Sequence, residues 1–190
     1  YLCRQKGTYT FSILARHGFI AESLLRSLGE MKCISSSRIR KFRQSINGVT
    51  TELIRDFNDV LDETKTYNSF IKIYGHLRPS TYDICSPTYS DRVNLFTSVS
   101  RSIKEPINKN DFKFTIKEVN SMDKILLNYF NEDFSSEQLI FYIYESIKLR
   151  EESKFEFTKL LSYSLNLLTK WGELIGFSKE ELSYIDLYDI

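Results

Sequence analysis

Apolar residues recur every three or four positions along most of the chain, which is the spacing of an amphipathic α-helix. The first apolar stripe predicts a helix with Thr10 as its N-cap that stops at Gly29. Ile13, Ile20 and Leu24 widen this stripe, so we expect the helix to be buried on more than one side. The stripe itself consists of Phe11, Leu14, Gly18, Ala21, Leu25 and Leu28.

A second stripe follows three consecutive serines that offer N-caps, Ser35, Ser36 and Ser37. It predicts one continuous helix with its inward side formed by Ile39, Phe42, Ile46, Val49, Leu53, Phe57 and Val60. A short helix should follow, capped by Thr66 and ended by Gly75. Its inward residues are Tyr67, Phe70, Ile71 and Tyr74.

The helical pattern stops between Gly75 and about Asn110. This segment holds the three prolines of the chain, Pro79, Pro87 and Pro106. Because proline restricts both itself and the residue before it, the segment should be irregular. Loops of this length are uncommon in compact domains and are often functional. We expect the loop to be ordered, packed on the helices and turned towards a cavity, with the apolar anchors Tyr82, Ile84 and Tyr89.

Helical spacing resumes near Thr115. The next stripe consists of Ile116, Val119, Met122, Leu126 and Tyr129. Ser135 and Gln138 form a capping box that opens a stretch without Gly or Pro as far as Trp171. As one helix this stretch would be about 55 Å long, so we expect a kink or break. Gly176 should end it, and a second capping box, Ser178 with Glu181, should begin a last short helix.

These elements predict an all-α, multi-helix domain with one long proline-containing ordered loop. We expect a single helical domain over residues 1–190, with N-terminal helices in 1–75, an irregular segment in 76–114 and C-terminal helices in 115–190. The chain starts at Tyr1 rather than Met and in helix-like sequence. We therefore expect it to be a piece of a longer protein.

Composition narrows the function classes. The 190 residues include 26 basic and 25 acidic side chains, a balance that argues against bulk attraction to nucleic acid or to an anionic membrane. Apolar runs fall far short of the ~18 residues that span a bilayer. Cys3, Cys33 and Cys85 are odd in number and widely spaced, which favours reduced thiols and a cytoplasmic protein.

The residues that could carry chemistry cluster after Gly75. His76, Arg78, Tyr82 and Asp83 place an imidazole, a guanidinium, a phenol and a carboxylate within eight residues on a backbone stiffened by proline. The structural alternative is that His76 and Arg78 cap the preceding helix and that Asp83 pairs with Arg78. No glycine-rich phosphate loop is present, and two histidines are too few for a multi-histidine metal site.

Two further charged groups have simpler explanations. The basic patch Arg38, Arg40, Lys41 and Arg43 could meet RNA or phosphate, but a solvated helix face is favoured because Ile39 and Phe42 take the inward positions. Likewise, intrahelical ion pairs are favoured for the charges between Arg150 and Lys154.

Three blocks of the sequence resemble phosphoenolpyruvate synthase-like proteins. Residues 11–28 are similar to the stretch that follows the ATP-binding domain in that family. Residues 74–84 (YGHLRPSTYDI) are similar to its Tyr-Gly-His-Leu-Arg-Pro-Gly-Thr-Tyr-Asp-Ile segment. Residues 150–162, together with 171–178, are similar to a later block. The blocks span nearly the whole chain in the expected order. Ser80 stands where Gly is usual, and Thr88 where Arg often follows the Ser-Pro pair.

The resemblance implies a role beside two catalytic domains of the same parent chain. In pyruvate phosphate dikinases and rifampin phosphotransferases, an ATP-grasp domain, which uses ATP and Mg²⁺, makes the phosphoryl donor and a swivelling domain carries it on a histidine. A central helical region holds the small-molecule acceptor in the rifampin enzymes. This chain would be that central region, without a cofactor or metal of its own and not catalytically competent alone.

The resemblance also suggests roles for individual residues. His76 would orient or deprotonate the acceptor, Arg78 would bind an anion, and Tyr82 and Asp83 would orient them. A further set could form a buried charged cluster between helices: Arg16, Arg26, Arg150 and Lys154. The alternative function is a stand-alone helical module that binds a protein or a nucleic acid through the face from Arg38 to Arg43.

Overall fold

Helix-forming sequence accounts for most of the computed structural model, which describes residues 3–92, 96, 112–130 and 134–186. The described residues form the helices α1 (Tyr9–Glu30), α2 (Ser36–Ser45), α3 (Val49–Leu61), α4 (Tyr67–Tyr74), α5 (Ile116–Phe130), α6 (Ser136–Leu174) and α7 (Lys179–Leu182), and no strand. The predicted all-α fold is confirmed. Pro106 and most of the predicted irregular segment beyond residue 92 lie outside the described residues.

Side-chain caps begin several of these helices where the sequence predicts them. The hydroxyls of Ser35 and Thr66 accept the backbone N–H groups of Arg38 and Ser69. The two predicted capping boxes, at Ser135 and at Ser178, also form. At the end of α6, Gly176 adopts a left-handed φ of 84°, and the N–H of Phe177 returns to the carbonyl of Gly172 at 2.8 Å.

Helix α1 differs from its prediction at both ends and in its burial. A π-helical segment, Cys3–Thr8, runs directly into it, so Thr10 lies inside the helix and is not its N-cap. Gly29 also lies inside α1. Its buried positions are Gly18, Ala21, Leu25 and Leu28. Ile13 and Ile20 are exposed, so the prediction of burial on more than one side is wrong.

The predicted continuous helix from Ser35 to Val60 is divided into α2 and α3. The backbone leaves the helix at Ile46, and a side chain at Gly48 would collide with the carboxylate of Glu151. That carboxylate accepts the N–H of Thr50 at 3.4 Å, in the first turn of α3. A partner distant in sequence therefore packs at the break, while the apolar spacing continues across it.

Helix α6 shows the opposite difference, since it runs through 39 residues with no interruption where a break was predicted. Ion pairs along it join Lys148 to Glu152 at 3.7 Å and Lys159 to Glu156 at 2.5 Å. Such pairs stabilise an exposed helical face by a few tenths of a kcal/mol each, roughly. The charged middle of the sequence is thus compatible with one long helix.

The described chain divides into two compact units whose segments alternate in sequence. The first unit comprises Tyr1–Thr10, Glu52–Pro106 and Lys154–Ile190, and the second comprises Phe11–Thr51 and Ile107–Ser153. The chain passes between them within α1, α3 and α6. This arrangement differs from the three consecutive segments expected from the sequence.

Each unit has its own apolar cluster. In the first unit, Phe70 and Tyr74 are buried against partly buried side chains that include Phe57 and Phe155. In the second unit, the largest fully buried side chains are Leu25, Ile34, Met122 and Ile143. Two residues of the predicted α5 stripe, Ile116 and Tyr129, are instead exposed. None of the described helices has the combination of length and apolar character that crossing a membrane requires.

We expect Leu25→Ala to lower the free energy of unfolding by about 2–5 kcal/mol, because Leu25 is 1% exposed in the second core. Ile20→Ala is the matched control on the same helix, since Ile20 is 50% exposed, and should cost roughly 0.5 kcal/mol. Denaturant melts of both variants measure the difference. Equal losses would contradict the one-sided burial of α1.

Candidate functional site

The segment after α4 closes into a loop, which we call loop 75–91. The N–H of Tyr89 donates to the carbonyl of Leu77 at 2.7 Å, and the N–H of Ser90 donates to the carbonyl of Gly75 at 3.1 Å. A side chain at Gly75 would collide with the hydroxyl of Ser90 and the carbonyl of Ile71. Gly75 is therefore required by close packing, and its backbone has the right-handed conformation of a helix. Loop 75–91 is ordered, as expected.

Two carboxylates hold turns within this loop. Asp83 Oδ1 accepts the N–H of Cys85 at 2.8 Å. Asp91 Oδ2 accepts the N–H and the hydroxyl of Thr88 at 3.0 and 2.7 Å, and the hydroxyl bond is the main reason why the pKa of Asp91 is lowered. Thr88, which stands where the resembling family often has Arg, is buried and serves this turn.

Arg78 joins loop 75–91 to α6. Its guanidinium donates to the Ser162 hydroxyl at 3.1 Å, to Asn166 Oδ1 at 3.3 Å and to the backbone carbonyl of Asp83 at 3.2 Å. The residue is only 8% exposed. The expected pairing with the carboxylate of Asp83 is replaced by the bond to its carbonyl oxygen.

The Arg78 guanidinium is therefore a buried cation whose hydrogen-bond acceptors are all uncharged. Its Nε has no hydrogen-bond partner among the described residues. Burial lowers the pKa of the guanidinium, and the charges of Asp91 and Asp83 oppose that shift. Because no carboxylate of the described residues forms an ion pair with it, this cation keeps an electrostatic attraction for an anion.

His76 is half-buried and contacts α6 one turn before Arg78 does. Its Nε2 lies 3.3 Å from the Thr158 hydroxyl, and its ring meets Phe155 edge-on at 4.8 Å between centroids. Thr158 donates its own proton to the Phe155 carbonyl at 2.7 Å, so it accepts from His76. Burial, followed by the charge of Lys159, lowers the pKa of His76 and favours the neutral ring.

The predicted orienting residues Tyr82 and Asp83 are exposed. The Tyr82 ring lies 6.3 Å from that of Phe157, and neither side chain is bonded to His76 or Arg78. Of the expected apolar anchors, Ile84 is buried and Tyr89 is half-buried against the first core, whereas Tyr82 does not serve as one. The loop is thus held mainly by Ile84 and Arg78.

A cleft of about 310 Å³ opens beside the loop. Asp91 lines it from the loop, Asn166 and Lys170 line it from α6, and Lys179 lines it from α7. Asn166 links this cleft to Arg78, because its amide oxygen accepts from that guanidinium. None of the predicted residues His76, Arg78, Tyr82 and Asp83 is among the described lining residues, and Arg78 is linked to the cleft through Asn166.

The α6 partners of this site escape sequence reasoning. Thr158, Ser162 and Asn166 are spaced by four residues and fall on one face of the helix, with Thr158 and Ser162 buried. A polar column in an otherwise apolar stretch is the signal that could have revealed them. This polar column is the surface of α6 that contacts loop 75–91.

The predicted buried cluster of Arg16, Arg26, Arg150 and Lys154 does not form. Arg16, Arg26 and Lys154 are exposed. Arg150 is half-buried, with its guanidinium 5.4 Å from the centre of the Phe19 ring and its aliphatic part packed over Gly18. Exposure of long charged side chains is favoured because it preserves their hydration.

The basic face from Arg38 to Arg43 is partly neutralised. Arg38 donates to both oxygens of Glu118 at 2.8 and 2.7 Å and lies 4.4 Å over the ring of Phe112. Arg43 pairs with Glu22 at 2.5 Å. These contacts leave Arg40 and Lys41 as its exposed cations without an ion pair in the described part of the chain, which argues against a nucleic-acid surface here. The part of the chain that the structure describes also contains no group of three or more His, Cys, Asp or Glu side chains placed to hold a metal ion.

We expect His76 to make folding sensitive to mild acid. Its pKa is lowered in the folded chain, so its contribution is complete above its ordinary pKa of about 6.5 and is lost as the pH falls below that value. His76→Gln should flatten the decline of unfolding free energy by at most about 1.4 kcal/mol per pH unit. His17→Gln controls for loss of a histidine, and an unchanged slope in the His76 variant would contradict the assignment.

A second pH dependence follows from Glu118, whose pKa is lowered to about 2, chiefly by the hydrogen bond from Arg38. A lowered carboxyl pKa stabilises the fold above the unfolded value of 4.5, and this stabilisation is lost as the pH falls towards 2. In Glu118→Gln, acid titration followed by circular dichroism should lose this component of the decline. Superimposable titration curves would refute the ion pair.

Comparison of the chain with protein-family models, with curated proteins and with solved structures finds no match.

Proposed function

We propose that this chain is the central helical domain of a phosphoenolpyruvate synthase-like phosphotransferase, where it binds the acceptor and supports the catalytic domains. The supporting observation is that two family-like blocks, 74–84 and 150–162, contact each other through the residues that carry the resemblance. His76 meets Thr158, and Arg78 meets Ser162. A site that positions a substrate needs such a fixed support.

In this proposal the cleft beside loop 75–91 receives the anionic part of a small-molecule acceptor. Arg78 supplies a buried positive charge next to Asn166, which lines the cleft. Lys170 and Lys179 supply exposed positive charges in the lining itself. His76 acts as a positioning residue that fixes the loop to α6 through Thr158. The carboxylates of Asp91, engaged by Thr88, and Glu173 also line the cleft and balance the charges of Lys170 and Lys179, so the preference for an anion rests on Arg78.

The contribution of the chain is positioning and electrostatics, which dominate phosphoryl transfer. ATP and Mg²⁺ would be bound by the ATP-grasp domain, and the phosphoryl group would be delivered by the phosphohistidine domain of the same cytoplasmic parent protein.

The coding sequence on either side of these residues is the first test of the proposal. An ATP-grasp domain on the N-terminal side and a phosphohistidine domain on the C-terminal side are expected. Their absence would refute the proposed parent and favour the stand-alone binding module.

The full-length protein provides the test of the cleft. Arg78→Lys keeps the charge but loses the planar fork, and Lys170→Gln removes a lining charge. Both should lower phosphoryl transfer to the acceptor by about tenfold, equivalent to ~1.4 kcal/mol in the barrier. ATP-dependent phosphorylation of the carrier histidine should stay unchanged.

Lys72→Gln is the matched control, because Lys72 is exposed on α4 and lies outside the cleft. Melting temperatures of all three variants separate a change in the site from a change in folding. Equal transfer rates in the Lys170 and Lys72 variants would remove the cleft from the proposed site.

We also expect the 190-residue chain alone neither to bind ATP tightly nor to transfer phosphate, because it lacks a phosphate-cradling loop. Titration calorimetry with Mg–ATP measures the first property, and incubation with labelled ATP measures the second. Submillimolar affinity for ATP would overturn the assignment of the nucleotide to another domain.

A further inference from the structure

The second unit contains a larger cavity that the proposed function does not use. Its volume is about 660 Å³, within the range of roughly 300–1,000 Å³ typical of small-molecule sites. Its apolar lining consists mainly of aromatic rings: Phe42, Phe112, Phe114, Phe141 and Tyr144.

One wall of this cavity is already assembled. The rings of Phe42, Phe112 and Phe114 contact one another at centroid distances of 5.6, 5.2 and 4.9 Å. Phe42 is buried in the second core, which fixes the position of the other two. Because the rings are held by mutual packing, a planar ligand could stack on them with little reorganisation.

Phe141 stands at the same cavity and is 67% exposed. It lies in the second turn of α6, and Glu137 and Gln138 lie in the first turn. An exposed phenylalanine at the edge of an aromatic cavity gives a ligand a further ring to contact. The cavity thus offers aromatic surfaces on α6 as well as on the wall formed by Phe42, Phe112 and Phe114.

The electrostatics of the lining favour a cation. Glu137 is the lining residue that carries charge at neutral pH, and no cation forms an ion pair with it among the described residues. Arg38 lies over Phe112, but its guanidinium is engaged by both oxygens of Glu118. Aromatic ring faces also attract positive charge. Among the described lining residues, a phosphate or carboxylate would meet no cation.

We propose that this cavity binds a small planar aromatic cation, which stacks between Phe141 and the Phe112–Phe114 wall and directs its charge to Glu137. The Gln138 amide oxygen already accepts the N–H of Ser135 at 2.9 Å, so its amide nitrogen supplies a donor for the ligand. The proposal is independent of the phosphotransferase assignment, because these residues all belong to the second unit.

Two dyes of similar planarity test the inference on the 190-residue chain: thioflavin T, which is cationic, and Nile red, which is neutral. Thioflavin T should bind with saturable fluorescence enhancement. Phe141→Ala should weaken both dyes by about tenfold, the effect of removing one stacked ring. Glu137→Gln should weaken thioflavin T by roughly threefold to fivefold and leave Nile red unchanged.

Tyr129→Ala is the matched control, because Tyr129 is an exposed aromatic residue of the same unit, 71% exposed, that does not line the cavity. Phe141 and Glu137 are themselves exposed, so their replacement should leave the melting temperature unchanged. Failure of thioflavin T to bind, or equal affinities in the Phe141 and Tyr129 variants, would overturn the site. An equal response of both dyes to Glu137→Gln would overturn the preference for a cation.

Discussion

The position of loop 75–91 in the first unit depends on the hydrogen bonds that Arg78 donates to α6. Loop 75–91 contains no helix, so a few side chains must fix its position, and Arg78 provides two of the contacts through Ser162 and Asn166. Burying a guanidinium costs free energy that uncharged acceptors offset only in part. The same feature that holds the loop therefore places a buried positive charge next to a residue of the cleft, Asn166.

Helix α6 makes this arrangement possible because its two parts contribute to different cores and one face of its later part binds the loop. Its N-terminal part supplies Leu139 and Ile143 to the core of the second unit, and its later part supplies Phe155 to that of the first. The polar column Thr158, Ser162 and Asn166 lies in that later part. A break at the charged middle would relieve no evident strain, since Glu152 pairs with Lys148, Glu151 accepts the N–H of Thr50 and Arg150 packs against Phe19.

Local signals in the sequence predicted what depends on neighbouring residues. Ser35, Thr66, Ser135 and Ser178 cap helices because their partners lie three residues away. The break at Gly48 and the seat of Arg78 depend on Glu151 and Ser162, distant residues that periodicity cannot identify. Exposure of Ile116 likewise depends on which neighbours reach α5. For the candidate site, the loop was predictable from its prolines, but its cleft was not.

The alternation of the two units along the chain has a consequence for synthesis on the ribosome. Ala21 and Leu25 belong to the same core as Leu139 and Ile143. The hydrogen-bond partner of His76 is Thr158, which lies 82 positions later in the sequence. Neither core can be completed until most of the polypeptide has emerged. Apolar faces of the early helices therefore stay uncovered until these later residues of the chain have been synthesised.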